Sequence, residues 1–296
     1  MLKENNTELT KKSQSSQSKT MAKQLTDFSK LCVHTLTTKP WNLRQCVENY
    51  SAAGIYGITI WRNALENQNL KEAKTLLDDF GMNVISVARG GFFPSVEKEK
   101  RQAAINDNLF CIEQAAAVEA PLIVLVCGAD GQQPLEKSRD QIQEGILKIL
   151  PQAKAAGVKL AIEPLHPMYA GDRSAINTLA QANKMTEEIN DEFVGVAVDV
   201  YHLWWDNTLE TEIRRCGKNN KLFAFHVCDW NVPTTDFLND RGLMGDGCIP
   251  VKQIRGWVEE TGFSGYNEVE IFSDKYWATD QKEYLEKIKN AYLNFT

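Results

Sequence analysis

The chain has 296 residues, of which 43% are apolar and 24% are charged, and its formal net charge at pH 7 is −6. This length and composition indicate a soluble globular protein with one large α/β barrel or two smaller domains. The negative net charge argues against a surface that neutralises phosphates, so nucleic acid is not an expected partner.

The N-terminal segment, residues 1–29, is rich in Lys, Ser, Gln, Asn and Thr and lacks the apolar stretch of a signal peptide. We expect a disordered tail here and a single catalytic domain over residues 30–296. No later apolar run reaches the ~18 residues that a membrane span requires. The seven cysteines form no CxxC pair, which is typical of reduced thiols. We therefore expect a cytoplasmic protein with no membrane partner.

From residue 31 onward, short β-branched or apolar runs alternate with longer amphipathic segments. This alternation predicts a parallel sheet, because each return crossover needs a helix. Eight such units in about 260 residues predict a single (β/α)₈ TIM barrel. A doubly wound open sheet is the competing fold, but no GxGxxG follows the first strand. The predicted strands are residues 31–36, 55–61, 82–89, 121–128, 158–164, 194–200, 222–228 and 267–272.

Polar side chains close the last four predicted strands, which is informative because barrel enzymes carry their chemistry at the carboxyl ends of strands. Glu163, Asp199, His226 and Glu270 end the fifth to eighth strands in that order. Strand ends also meet water, so any one of these residues alone has an ordinary structural explanation. Together, four adjacent strands with these residue types predict one divalent ion, Mn²⁺, Zn²⁺, Co²⁺ or Mg²⁺.

An ordered set of motifs adds a family resemblance over about residues 31–295. The motifs are AIEPLHP, VGVAVDVYHLWWD, FAFHVCDW, NDRGLMGDGCI and EVEIFSDKYW. On these motifs the chain resembles the xylose-isomerase-like TIM barrels, the sugar phosphate isomerase/epimerase group, and within it the inosose isomerase branch. The resemblance implies that Glu163, Asp199, His226 and Glu270 hold one divalent metal and that the two glutamates form the acid/base pair.

That double role is chemically sound for an isomerase or epimerase of a sugar, a cyclitol such as an inosose, or a related polyhydroxy carbonyl compound. Removing a proton next to a carbonyl leaves an enediolate, whose charge a chelated cation stabilises. Carboxylates on either side of the substrate can remove and return protons, and Glu163 and Glu270 are the expected pair. The sequence does not say which of them is the base.

Five further residues are candidates for contact with the substrate. His202 lies three residues after Asp199, and the resemblance implies a bond from it to a substrate oxygen; capping of the next turn is the alternative. Arg241 offers a fork of donors from a long segment, residues 229–249, although a plain surface arginine fits equally. Trp204 and Trp230 can stack on sugar C–H faces or merely pack between loops. The full set is His166, His202, Trp204, Trp230 and Arg241.

Other readings of the same sequence remain open. A lyase that dehydrates an inosose or a dehydroshikimate-like acid would share the enediolate. An endonuclease IV-like repair enzyme would need more than the four histidines present. A silent sugar-binding barrel would lack the metal. Phosphate recognition and oligomeric state are not fixed by the sequence, although exposed barrel helices often pair into homo-oligomers.

One carboxylate raises a question of its own. Glu268 lies two residues before Glu270, so strand alternation points both side chains into the barrel. A buried unpaired carboxylate would be costly. We expect Glu268 either to support a metal ligand or to pair with an inward-facing cation.

Overall fold

A computed structural model describes residues 22–296 of the chain. Within them, eight parallel strands close a barrel, which confirms the predicted TIM barrel. Each predicted strand is present, with ends that differ by a few residues. The barrel strands are β1 (Leu31–His34), β2 (Gly57–Trp61), β3 (Asn83–Gly91), β4 (Leu122–Val126), β5 (Lys159–Glu163), β6 (Val194–Asp199), β7 (Leu222–Val227) and β10 (Asn267–Val269). Around the barrel they follow the order β1-β10-β7-β6-β5-β4-β3-β2.

Helices connect the strands and cover the barrel. Asn42 caps α1, since its side chain accepts from the Gln45 amide while the Gln45 side chain accepts from the Asn42 amide. No helix within residues 22–296 is long and apolar enough to cross a membrane. The helices are α1 (Leu43–Ala52), α2 (Leu70–Asp79), α3 (Lys98–Ala117), α4 (Leu135–Ala155), α5 (Leu179–Ile189), α6 (Val200–Leu203), α7 (Leu209–Lys218), α8 (Val251–Glu260), α9 (Asp274–Trp277) and α10 (Gln281–Phe295).

Two apolar layers hold the fold together. The larger one packs the outward faces of the strands against the helices. The smaller one, which we call the apolar floor, lies inside the barrel and combines Ala161, Ala197 and Ala224 with Leu122 and Val124. Because alternate strand residues point the same way, the residues two positions after the three alanines also point into the barrel, nearer its mouth.

The segment after β7 is not the continuous long loop that its sequence indicates. It contains an antiparallel two-stranded hairpin, β8 (Asp229–Trp230) with β9 (Arg241–Gly242). The hydroxyls of Tyr169 and Tyr201 both donate to the Phe237 carbonyl, at 2.6 and 2.8 Å. These bonds fix the hairpin loop relative to the loop after β5 and to α6.

The predicted N-terminal tail falls partly outside the described part of the chain, since residues 1–21 are not described. The described remainder, residues 22–29, forms no helix or strand. Its Leu25 and Phe28 pack against the main core, so this part of the segment is attached to the barrel.

Candidate metal centre and substrate pocket

The carboxyl ends of four adjacent strands bring the four predicted metal ligands together. Glu163 and Asp199 are the last residues of β5 and β6, His226 lies in β7, and Glu270 directly follows β10. One ligand atom from each lies within 4.8 Å of the others, and all four side chains are buried. The first three stand two positions after the alanines of the apolar floor, so strand alternation accounts for their inward direction.

Unpartnered atoms in this cluster fit a bound cation. His226 Nδ1 and Glu163 Oε1 lie 2.9 Å apart, yet neither atom has a hydrogen-bond partner of acceptable geometry. Buried polar atoms without partners are costly. Three carboxylates and one imidazole are also a suitable donor set for a hard or borderline divalent ion. The residues therefore fit a metal, which these four side chains would hold.

The electrostatics of the cluster favour positive charge at its centre. Burial opposes protonation of His226, but Glu163, Glu268 and Glu270 outweigh it and raise its pKa to about 10. Burial raises the pKa of Asp199. The positive charge of Arg241 lowers this pKa, whereas the charges of Glu270 and Glu163 raise it further. Carboxylates this crowded gain from a nearby cation.

Below Glu270 the barrel interior is polar, which answers the question about Glu268. The Glu268 carboxylate accepts from the Thr59 hydroxyl at 2.6 Å and lies 3.2 Å from His34 Nε2. His34 Nδ1 accepts from the Trp61 indole N–H at 3.2 Å and lies 3.2 Å from Glu270 Oε1, so the histidine ring stands between the two carboxylates. Ser86 extends the network from Thr59 at 3.0 Å. We call Glu268, His34, Thr59 and Ser86 the polar floor; all four are buried.

The polar floor also touches His226, because Glu268 Oε2 lies 3.9 Å from His226 Nε2. His34, His226 and Glu268 form a second group of potential ligand atoms that shares His226 with the first. Sequence reasoning assigned His34 no role. The available signal was its position at the end of the first strand.

Arg241 contacts the candidate ligands themselves. Its Nη1 lies 2.7 Å from Glu270 Oε2 and 3.3 Å from Asp199 Oδ2. The rings of Tyr201 and Phe272 lie 4.3 and 4.5 Å from the guanidinium carbon. Arg241 is buried and reaches the pocket, but these contacts occupy donors that were expected to hold substrate. Both contacts use Nη1, while the buried Nε of Arg241 has no hydrogen-bond partner.

His202 also lies beside the cluster, as the sequence predicts. Its Nε2 is 3.6 Å from Asp199 Oδ2 and 3.4 Å from Arg241 Nη2. Burial and then the charge of Arg241 hold its pKa well below the usual range, which favours the neutral imidazole. Its Nδ1 is buried without a hydrogen-bond partner.

The other three expected substrate contacts form an aromatic cluster. His166 and Trp204 pack on Trp230, with ring centroids 5.4 and 5.7 Å from it, and Trp230 stacks on Tyr201 at 4.7 Å. Among the described residues, His166, Trp204 and Trp230 are absent from the lining of the pocket beside the metal ligands. Their contacts support packing of the mouth loops.

A pocket of about 370 Å³, including its open part, adjoins the cluster. Its polar side chains include Glu163, Glu270, His202 and Arg241, and apolar side chains form much of the remaining wall. Two arginines in this lining were not anticipated from the sequence. The lining residues are Trp61, Arg89, Val126, Glu163, Leu165, Tyr169, Arg173, His202, Leu238, Arg241, Glu270 and Phe272.

Comparison with known sequences decides the family. The profile of the xylose isomerase-like TIM barrel family matches residues 47–291. The chain belongs to this family. The resemblance seen in the motifs is thereby confirmed.

Individual relatives agree with this assignment. The inosose isomerase of Halalkalibacterium halodurans is 23% identical over 275 residues, covering 88% of this chain and 94% of its own. Protein SMc04130 of Sinorhizobium meliloti 1021 has a solved structure with 41% identity and a TM-score of 0.88, covering 91% of this chain and 99% of that one. The structure of IolI with a zinc atom has 21% identity and a TM-score of 0.79, covering 90% and 97%. The first of these relatives is named an isomerase, which agrees with the predicted enzyme class.

Proposed function

We propose that this chain is a divalent-metal-dependent isomerase or epimerase of a sugar, a cyclitol such as an inosose, or a related polyhydroxy carbonyl compound. The observation that carries the proposal is the convergence of Glu163, Asp199, His226 and Glu270 at one buried point. The name of the Halalkalibacterium halodurans relative and the zinc atom in the IolI structure support it.

The separation of Glu163 and Glu270 around the barrel supports a role for them in proton transfer on two sides of a substrate. They come from β5 and from the end of β10, which β6 and β7 separate in the barrel. When bound, the cation would polarise the substrate carbonyl and stabilise an enediolate. A carboxylate on either side then removes a proton from carbon or returns one.

Neighbouring residues orient Glu270 and form the walls of the pocket. Arg241 donates to Glu270 and so fixes the direction of its carboxylate. The walls made by Trp61, Leu238 and Phe272 reduce the access of water to a reactive intermediate. His202 lines the same pocket, where its neutral imidazole can bond a substrate oxygen.

Hydrogen exchange tests the proton-transfer proposal. The metal-loaded protein is incubated in deuterated water with inososes, ketoses and keto acids, and deuterium on substrate carbon is followed by NMR. We expect incorporation next to the carbonyl, with about 10² to 10⁴-fold slower exchange in Glu163→Gln and Glu270→Gln. Glu136→Gln, at a side chain that is 80% exposed, is the control and should exchange normally.

Two outcomes would contradict the proposal. Turnover without incorporation of deuterium would indicate a hydride shift, and products that have lost water would indicate a lyase.

Metal analysis tests the cluster separately from turnover. The purified protein, stripped with a chelator, is titrated with Zn²⁺, Mn²⁺, Co²⁺ or Mg²⁺ in a calorimeter. We expect one cation per chain and clearly weaker binding by Asp199→Asn, because the substitution removes a charged ligand. Equal affinity in the variant would show that Asp199 is not a ligand.

A further inference from the structure

Two arginines line the pocket on the side away from Glu270. Arg89 lies near the end of β3, and Arg173 lies in the loop after β5. The Arg173 carbonyl accepts from the Gly128 amide at 2.9 Å, which ties this loop to the segment after β4. The structure thus places both arginines on the β3–β5 side of the mouth. We call Arg89 and Arg173 the arginine pair.

Arg89 has no polar partner in the described part of the chain. Its side chain makes no hydrogen bond or ion pair within residues 22–296, and its guanidinium lies 4.1 Å from the Phe92 ring. Asp107 attracts it but is held at both oxygens by Arg62, at 2.7 and 2.8 Å. A guanidinium that stacks on a ring keeps its N–H edge free for two parallel hydrogen bonds to an anion.

Arg173 is only weakly paired. Its Nε lies 3.9 Å from Asp172, a pair in which the aspartate side chain is 71% exposed. Its guanidinium carbon is 5.5 Å from the Tyr169 ring. Screening by water makes such an exposed ion pair a small contribution, so Arg173 can readily accept a better partner.

The charges of the pocket leave the arginine pair in excess. Counted as formal charges, the three acidic candidate ligands Glu163, Asp199 and Glu270 would be balanced by one divalent cation and Arg241, and the remaining buried carboxylate, Glu268, faces His34 below them. Arg89 and Arg173 then add two positive charges to the same lining. Burial lowers the pKa of Arg89, and the positive charges of Arg173 and Arg62 add to this effect against Asp107 and Glu163.

We infer, on the basis of the proposed function, that the arginine pair binds an anionic substituent of the substrate, a carboxylate or a phosphate. The reacting carbonyl lies at the metal ligands, and the anion lies towards β3 and β5. The preferred substrate class is therefore a sugar acid or a sugar phosphate, and a neutral polyol binds less tightly.

Three matched probes distinguish these classes. D-fructose is neutral, D-fructuronate carries a carboxylate at carbon 6, and D-fructose 6-phosphate carries a phosphate there. Each is titrated into the metal-loaded protein in a calorimeter at low and at raised salt. We expect at least one anionic probe to bind about tenfold or more tightly than D-fructose, with an advantage that shrinks in salt. The probe that shows the advantage identifies the anion as carboxylate or phosphate.

Variants assign that advantage to the arginine pair. Arg89→Gln and Arg173→Gln should each reduce it about tenfold, while affinity for D-fructose, which has no anionic group, should fall much less. Arg89→Lys keeps the charge but loses the fork, so it should recover only part of the advantage. Arg44→Gln, at a side chain that is 65% exposed on α1, is the control and should behave as the native protein.

The outcomes separate this inference from the proposed function. The inference is overturned if no anionic probe binds more tightly than D-fructose, or if the advantage persists in both glutamine variants. Deuterium exchange on D-fructose without any anion advantage would leave the proposed isomerase intact and reject the arginine pair. Tight, arginine-dependent binding of an anionic probe without any exchange would reject the isomerase and keep the anion site.

Discussion

Two halves of the barrel interior support the same cluster by different means. Beneath Glu163, Asp199 and His226 lies the apolar floor, with one alanine two positions before each of them. Beneath Glu270 lies the polar floor, where a glutamate occupies the equivalent position. One half therefore relies on packing and strand alternation, and the other relies on hydrogen bonds and charge.

The difference shows how each half responds to a defect. On the apolar floor the three alanines are fully buried, so strain from added volume is the main hazard. On the polar floor, each group satisfies another, so the loss of one leaves buried partners unpaired. The polar floor also reaches two ligands, because His34 contacts Glu270 and Glu268 approaches His226.

The largest effect is expected from Glu268→Leu, which removes the central acceptor of the polar floor. His34 and Thr59 lose their partner, so the free energy of unfolding should fall by about 3 kcal/mol, in the range for breaking a buried pair. Affinity for the cation should fall 10 to 100-fold, as is typical when support for metal ligands is lost. Denaturant unfolding in chelator and calorimetric titration with Zn²⁺ measure the two quantities.

Glu268→Gln is the matched control for that prediction, since its amide oxygen can still accept from Thr59. It should lose less stability and less affinity for Zn²⁺ than Glu268→Leu. Equal Zn²⁺ affinity in the leucine variant and the native protein would show that the polar floor does not support the ligands.

An intermediate effect is expected from Ala197→Val on the apolar floor. Two extra methyl groups beneath Asp199 should overpack the interior and reduce the free energy of unfolding by about 1–3 kcal/mol. Zn²⁺ affinity should fall less than in Glu268→Leu, because no partner of a ligand is removed. Urea unfolding is compared with that of Ala103→Val, at an exposed position of α3. An unchanged stability would show that the floor has spare volume.

The contrast between the floors also explains which parts of the site could be predicted from sequence. Asp199 ends a continuous apolar run, so a single polar residue there is conspicuous and its inward direction follows from the alternation. The same argument applies to Glu163 and His226. Arg89 lies two residues before the end of β3 at Gly91, so it does not mark the end of its strand as Asp199 does. Nothing in the neighbouring sequence shows that its guanidinium lacks a partner.

Contacts between distant segments escaped prediction for a physical reason. Glu268 is 209 residues from Thr59 in sequence and 234 from His34, so their network exists only once the barrel closes. Arg241 looked equally suited to substrate or solvent until the hairpin β8–β9 placed it on Glu270. The eight strands were predictable because each is a short local pattern, and the barrel follows from their regular repetition.

The smallest effect on Zn²⁺ affinity is expected from Thr59→Val, which removes one hydroxyl from the polar floor and keeps the shape of the side chain. The lost hydrogen bond has a carboxylate acceptor, so stability should fall by about 1.5–3 kcal/mol in chelator. Zn²⁺ affinity should drop only a few-fold, because His34 still holds Glu268. Calorimetric titration with Zn²⁺ measures this drop.

Thr38→Val separates an effect on the ligands from a general loss of a buried hydroxyl. Thr38 is fully buried like Thr59, and its hydroxyl lies 2.6 Å from that of Tyr50, which reaches only the backbone carbonyl of His34 and none of the side chains of the polar floor. It should lose stability without a change in Zn²⁺ affinity. If both threonine variants changed Zn²⁺ affinity equally, the effect of Thr59→Val would reflect a general loss of stability of the barrel. The polar floor would then not support the metal ligands specifically.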